Sequence, residues 1–427
     1  MLKKIEQYVL WFLLFAIPFQ ARTIVYSPNW SFNEYTSFTV YGTDILITGL
    51  LLLWLFSKKN GVSYRFREDW IALGIFITVA LLSVWHAFDF SIGVYRLFKL
   101  IEMIALFAYV RYRAQAVLSL QAMLMALVTG GMFQAVAGIV QFFKQSDIGL
   151  RILGESILHP DMRGVAVFYN TAGEKVMRAY GITPHPNIVA SYLLLALGAL
   201  YSLYAVGRER IKPWLWHVCY AIILFAFFLT FSRVVILAWV MMTGTIVLTL
   251  LAKETRTILA WKGAAIATVI MSVLFSIVFW NSIVGRLTIN SADEGLVLRK
   301  YYNEQALESH TALNFGIGIG NFVPWLMDRN PGLPQHLFQP AHNMYLLMYA
   351  EIGLLGVLAF LAWLMITIKQ FWQTTQRGLP EIISLSMFLG LAFVGLFDHF
   401  LWTLQQGMLM WWVMAGMIAS SYKSANL

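Results

Sequence analysis

The sequence predicts an all-α polytopic membrane protein that crosses a bilayer about twelve times. Three observations carry that expectation. Of 427 residues, 59% are hydrophobic and only 12% charged, whereas a soluble chain carries roughly 25% charged residues. That shortage leaves too little polar surface to keep a compact body in water. The apolar residues recur in runs close to the ~20 residues that a membrane helix requires, because an unpaired backbone group in hydrocarbon is costly. Finally, the cations fall mostly in the short gaps between those runs, and 16 Trp, 19 Tyr and 31 Phe suit a chain with many bilayer interfaces.

The expected spans lie near 5–20, 41–56, 70–87, 93–110, 117–142 and 187–206, then 214–231, 233–251, 263–281, 342–368, 381–398 and 405–421. Lys3 and Lys4 precede the first run, which has no convincing small-x-small cleavage site and is read as an uncleaved helix rather than a signal peptide. Basic residues occupy every second gap: Lys58, Lys59, Arg65 and Arg67; Arg111 and Arg113; Arg208, Arg210 and Lys212; Lys253, Arg256 and Lys262; Lys369 and Arg377. With Lys3, Lys4 and Lys423 they place both termini in the cytoplasm. The net charge of +9 therefore reads as an orientation signal, not a nucleic-acid surface. A lone Cys219 excludes an intrachain disulfide.

This divides the chain into an N-terminal bundle (1–142), a long extracytoplasmic segment (143–186), helices six to nine (187–281), a second long segment (282–341) and C-terminal helices (342–427). The long segments contain Trp, Tyr, Phe, Gly and Pro and are expected to be ordered caps. Residues 296–313 lack Gly and Pro and predict a surface helix.

His342 sits where the second long segment enters a span, followed by Asn343, Gly353 and Gly356. An imidazole there titrates near neutral pH and can take a proton from an acceptor hydroxyl. The same position also suits an interfacial or capping histidine, with the two glycines permitting close helix packing. Arg96, Lys99 and Glu102 are spaced by three and fall on one face of the fourth span. Ionisable groups inside a membrane are functional candidates, although Lys99 and Glu102 equally suit mutual neutralisation. Asp398 and His399 read foremost as a capping pair. Gly316-x-Gly318-x-Gly320 lacks the strand and helix of a dinucleotide site and reads as a tight loop. His310 and His336 are too isolated to argue for metal.

The order of these residues adds a resemblance. His342-Asn343, nine residues, then Gly353-x-x-Gly356 resembles the signature of the O-antigen ligase family, polytopic glycosyltransferases that attach lipid-linked glycans to an acceptor. Phe231-Ser232-Arg233 resembles the family's Ser-Arg element. Arg178-Ala-Tyr-Gly181-Ile-Thr-Pro-His185-Pro186-Asn187 resembles its Gly…His-Pro-Asn segment. Arg299 followed by Asn314-Phe-Gly316-Ile-Gly318-Ile-Gly320-Asn321-Phe322 resembles its Arg…Gly-x-Gly-x-Gly-x-Phe segment. The four elements occur in the family's order over about residues 178–356.

The resemblance implies a GT-C-like helical bundle in the inner membrane and transfer, without cofactor or metal, from a polyprenyl (undecaprenyl) diphosphate carrier at the outer face. It casts His342 as the catalytic base and Arg233 and Arg299 as contacts to the diphosphate, with Arg178, His185, Asn343, Arg96 and Lys99 as substrate-binding candidates. Arginine suits a departing diphosphate because its planar fork pairs with phosphate and stays protonated. For the residues alone, Arg233 also reads as a snorkelling interfacial arginine and Arg299 as part of a solvated helix face. The implied partners are a lipid-linked glycan, a glycolipid or other hydroxyl acceptor and membrane lipids, with no nucleic acid. Ligation to an acceptor, as in lipopolysaccharide synthesis, is preferred over polymerisation of repeat units or transfer to protein. A transporter would instead call for paired interrupted helices at the bilayer midplane.

Overall fold

The computed structural model describes residues 1–28, 32–57, 68–206, 212–252, 261–287, 294–309, 315–373 and 378–420. Among these, every one of the twelve expected stretches carries a helix: Leu2–Ala16, Gly42–Phe56, Glu68–Trp85, Phe90–Tyr109, Leu120–Lys144, Pro186–Val206, Pro213–Leu229, Arg233–Leu251, Lys262–Val278, Met344–Gln373, Leu379–Val394 and Gln405–Ser420. Five are long and apolar enough to cross a membrane alone: Glu68–Trp85, Leu120–Lys144, Pro186–Val206, Arg233–Leu251 and Met344–Gln373. A sixth would combine Lys262–Val278 with Trp280–Leu287 across an 82° bend. Gly42–Phe56, Pro213–Leu229 and Leu379–Val394 are apolar but shorter, reaching only ~22–26 Å at 1.5 Å per residue against ~30 Å of hydrocarbon. Phe90–Tyr109 has the length but carries Arg96, Lys99 and Glu102. A helix in each of the twelve expected stretches is thus the observation among the described residues, and twelve crossings a proposal.

Most cations expected to mark the cytoplasmic side lie outside the described residues: Lys58, Lys59, Arg65, Arg67, Arg208, Arg210, Lys253, Arg256, Arg377 and Lys423. Arg111 is not a free loop charge. The helix continues through a π-type turn at Val110–Ala114, and Arg111 is buried in an ion pair with Asp69. Gln370 Nε2 donates to the same carboxylate at 3.3 Å.

The chain forms two compact units. The first comprises Met1–Ala21, Ala116–Asn290 and Arg377–Val394. Its centre is Pro186–Val206, a helix apolar all round, which must be enclosed on every side; residues 186–203 are all buried. Leu120–Lys144, Pro213–Leu229, Arg233–Leu251 and Leu379–Val394 surround it. Close approach depends on missing side chains: a Cβ on Gly131 would lie 2.4 Å from the Ala196 methyl. The segment after Leu120–Lys144 is ordered, with a short hairpin pairing Val167–Tyr169 with Lys175–Met177 and a small core of Leu158, Met177 and Tyr180. Buried Glu155 ties it down by accepting from Gln141 Nε2 at 2.6 Å and from the Ile148 amide at 2.8 Å.

The second unit comprises Arg22–Gln115, Ser291–Gln376 and Gly395–Leu427. Glu68–Trp85 packs along Met344–Gln373, and Gln405–Ser420 against Phe90–Tyr109. Phe107, Phe360, Trp363, Trp411 and Trp412 fill the space between, with Trp363 and Trp412 centroids 5.2 Å apart. Aromatic pairs at this spacing add to area burial. An antiparallel hairpin, Arg22–Tyr26 with Phe38–Tyr41, leads into Gly42–Phe56; it and the 167–177 hairpin are departures from the all-helical expectation. The expected surface helix is present as Glu294–Glu308, and residues 310–313 of it lie outside the described residues. It is docked on one face, with Tyr302 and Ala306 fully buried while Val297 and Leu307 are exposed.

Candidate functional site

In the second unit the start of Met344–Gln373 is pinned by the Met344 amide, which donates to the Gly395 carbonyl at 2.7 Å. Asn343 Oδ1 accepts the Tyr345 and Leu346 amides, each at 3.0 Å, and so acts as the helix N-cap. The bond from Met344 to Gly395 brings the 395–399 segment beside His342. The His342 and His399 ring centroids lie 5.2 Å apart, and the Tyr302 ring lies 6.0 Å from that of His342. Arg299 reaches the same place from the 294–308 helix, donating Nη1 to the Phe397 carbonyl at 3.3 Å. Asp398 and His399, read from the sequence as a cap, thus belong beside His342.

His399 is buried and shares a 2.7 Å hydrogen bond between Nδ1 and Thr403 Oγ1. Burial pushes its pKa down to about 4; Asp398 opposes that shift and Arg299 reinforces it. The ring is therefore neutral at physiological pH. Ligating atoms of His342, Asp398 and His399 lie within 4.8 Å of one another, close enough for one cation to bridge. The Arg299 charge beside them works against that.

The glycine loop and the motif after His342 form one structure. Gly353 has φ 72°, interrupting Met344–Gln373. Around that break the carbonyls of Ala350 and Glu351 accept the amides of Ile317 and Gly318, both at 2.9 Å. Gly316, Gly318 and Gly320 all have φ between 69° and 99°, a region that disfavours side chains. A Cβ on Gly320 would lie 2.2 Å from Arg96 Cγ. Buried Glu351, which the sequence reading passed over, accepts from Trp402 Nε1 at 2.8 Å. Its signal was available as a carboxylate inside an apolar run.

Arg96, Lys99, Glu351, Tyr35 and Trp402 line a cavity of about 20 Å³, room for a water or two. Arg96 donates to the carbonyls of Thr403 at 2.9 Å and of Glu34 and Tyr35 at 3.3 Å. Lys99 is buried in an ion pair with Asp44 and lies 3.5 Å from Glu102. Gln405 completes this cluster, accepting from Lys99 at 3.4 Å and donating to Asp44 Oδ1 at 2.5 Å. Neutralisation of Lys99 is therefore shared between Glu102, its helical neighbour, and Asp44 from Gly42–Phe56.

The remaining candidates belong to the first unit. Arg233 opens its helix after Phe231, which has φ 46°, a conformation costly for a bulky residue. Its Nη1 donates to the Arg286 carbonyl at 3.4 Å. Arg178 is only 4% exposed. It donates Nε to the Thr230 carbonyl at 2.6 Å and Nη2 to Asn187 Oδ1 at 2.8 Å. The same Oδ1 accepts from Ser232 Oγ at 2.9 Å. His185 Nδ1 accepts the Asn187 amide at 3.2 Å, in the turn that starts Pro186–Val206.

Long apolar helices around buried charges define an integral membrane type of protein. Residues 218–361 match a family model described as O-Antigen ligase, a match over about a third of the chain that supports membership of that family. The match contains Arg233, Arg299, the glycine loop and His342, while Arg178 and Asn187 precede it. No curated relative matches the chain.

Proposed function

We propose that the protein is a glycan ligase acting at the outer face of the cytoplasmic membrane, with twelve crossings and both termini in the cytoplasm. Its donor is a glycan on a polyprenyl diphosphate, and its acceptor a hydroxyl on a glycolipid or similar molecule. The observation that carries this reading is the cluster of His342 with Arg299, Asp398 and His399, in which His342 and Arg299 lie inside the segment that matches the O-antigen ligase family model.

His342 acts as the base. As the acceptor oxygen bonds to the anomeric carbon, its proton passes to the imidazole and the bond from that carbon to the phosphate oxygen breaks. The electron pair leaves with polyprenyl diphosphate. Arg299 offsets the charge developing on that leaving group, a task for which guanidinium suits better than ammonium. Arg233 is assigned a diphosphate contact on family resemblance, and Arg96 and Lys99 remain donor-side candidates as walls of their cavity. No step requires a metal. Purified protein given a polyprenyl-diphosphate glycan should transfer it to an acceptor. Transfer only onto a second copy of the glycan would identify a polymerase instead.

A further inference from the structure

We propose that Arg178, with Asn187 and Ser232, is a positioning clamp that sets the turn delivering Arg233, rather than a substrate contact. The inference rests on the reading of Arg233 as a diphosphate contact. Three strands of geometry support it.

First, the turn needs an external restraint. Phe231 holds φ 46° with its ring buried among Phe142, Phe168 and Phe275. A non-glycine residue persists there only where its surroundings over-determine it. Second, the clamp grips both sides of that residue. Arg178 Nε holds the Thr230 carbonyl before Phe231, and Asn187 Oδ1 holds the Ser232 hydroxyl after it. Arg178 Nη2 joins the two grips by donating to the same Asn187 oxygen, whose two lone pairs are then both used by these donors. Third, the backbone of the same segment runs alongside, with the Ala179 amide donating to the Leu229 carbonyl at 3.1 Å. Arg178 is buried and directed into protein, whereas Arg233, two residues beyond the strained turn, is partly accessible.

Asn187→Asp keeps the accepting oxygens but pairs the Arg178 charge. If Arg178 bound diphosphate directly, that pairing would weaken donor binding. If Arg178 is a clamp, the pairing is harmless. The test compares the full-length protein with Asn187→Asp, Asn187→Leu and Arg178→Lys. One arm measures glycan transfer; the other measures labelling of Arg233→Cys, in a Cys219→Ser background, by a charged thiol reagent.

We expect Asn187→Asp to transfer within about threefold of wild type, and Asn187→Leu and Arg178→Lys to lose on the order of 10- to 100-fold in kcat, as misplacement by about an ångström does. Both losing variants should change the labelling rate at position 233 severalfold, and Asn187→Asp should leave it unchanged. Loss of transfer in Asn187→Asp equal to that in Asn187→Leu would overturn the proposal. So would an unchanged labelling rate in Arg178→Lys, which retains the charge and serves if Asn187→Leu does not fold. The labelling arm needs no reaction, so it judges the clamp even if the wild-type protein transfers nothing.

Discussion

Gly318 donates its amide to the carbonyl of Glu351 at 2.9 Å. This bond and its neighbour from Ile317 to Ala350 join the glycine loop to the break at Gly353, so two motifs far apart in sequence stabilise one local structure. Gly318 sits at φ 99°, where a Cβ would meet Ala87 Cα at 2.5 Å. Gly318→Val therefore faces both an unfavourable dihedral and a clash with backbone. It is expected to lose more than about 2 kcal/mol of stability, read as a lowered unfolding temperature in detergent, with transfer lost in parallel. Gly244, helical with open space around it, is the control: Gly244→Ala should leave both unchanged.

Lys99 gives a second prediction. Lys99→Met would leave the partly buried Asp44 and Glu102 without their shared cation, and breaking one side of a fully buried pair costs about 3–5 kcal/mol, which sets the upper end of the expected loss. The variant should accumulate poorly and unfold early. Adding Asp44→Asn and Glu102→Gln should restore most of the loss, which a melting series of the single and triple variants would show.

The pH dependence has a definite sign. Folded His399 holds its pKa near 4 because it is buried, against about 6.5 in an unfolded chain. Between those values the unfolded state binds a proton that the folded state refuses. The stability contributed by the neutral ring is fully present above pH 6.5 and is lost as pH falls toward 4, up to about 3 kcal/mol. Unfolding temperature should therefore drop across this window in wild type and drop less in His399→Phe. Equal slopes would show that His399 does not titrate as described.

How much of this was legible in the sequence depends on distance along the chain. The helix in each of the twelve expected stretches was visible because an apolar run is a local property, and Asn343 with His342 stood out for their place at the head of one. The surface helix 294–308 followed from local composition. Asp398 and His399 were not recognisable as neighbours of His342, because the bond from Met344 to Gly395 that brings them there joins the start of one helix to the turn that follows another. For Lys99 the periodic partner, Glu102, was found and the non-local one, Asp44, was not. Arg178 was picked out by the family resemblance as a substrate-binding candidate, but only the fold shows that it is buried and grips Thr230 and Asn187.

Metal removal separates two uses of the His342, Asp398 and His399 cluster. The acid–base reading expects transfer to survive exhaustive chelation with less than about a twofold change, since proton transfer by a positioned imidazole needs no cation. Activity that vanishes with chelator and returns with one divalent ion would reassign the three groups as a cation site.

The most direct measurement of the central claim follows polyprenyl diphosphate release by purified protein supplied with a lipid-linked glycan and a hydroxyl acceptor. Wild type should release one carrier per glycan transferred, and His342→Ala should slow both by roughly 100- to 10,000-fold, the range for a lost general base, while remaining folded. Undiminished transfer by His342→Ala would contradict the account.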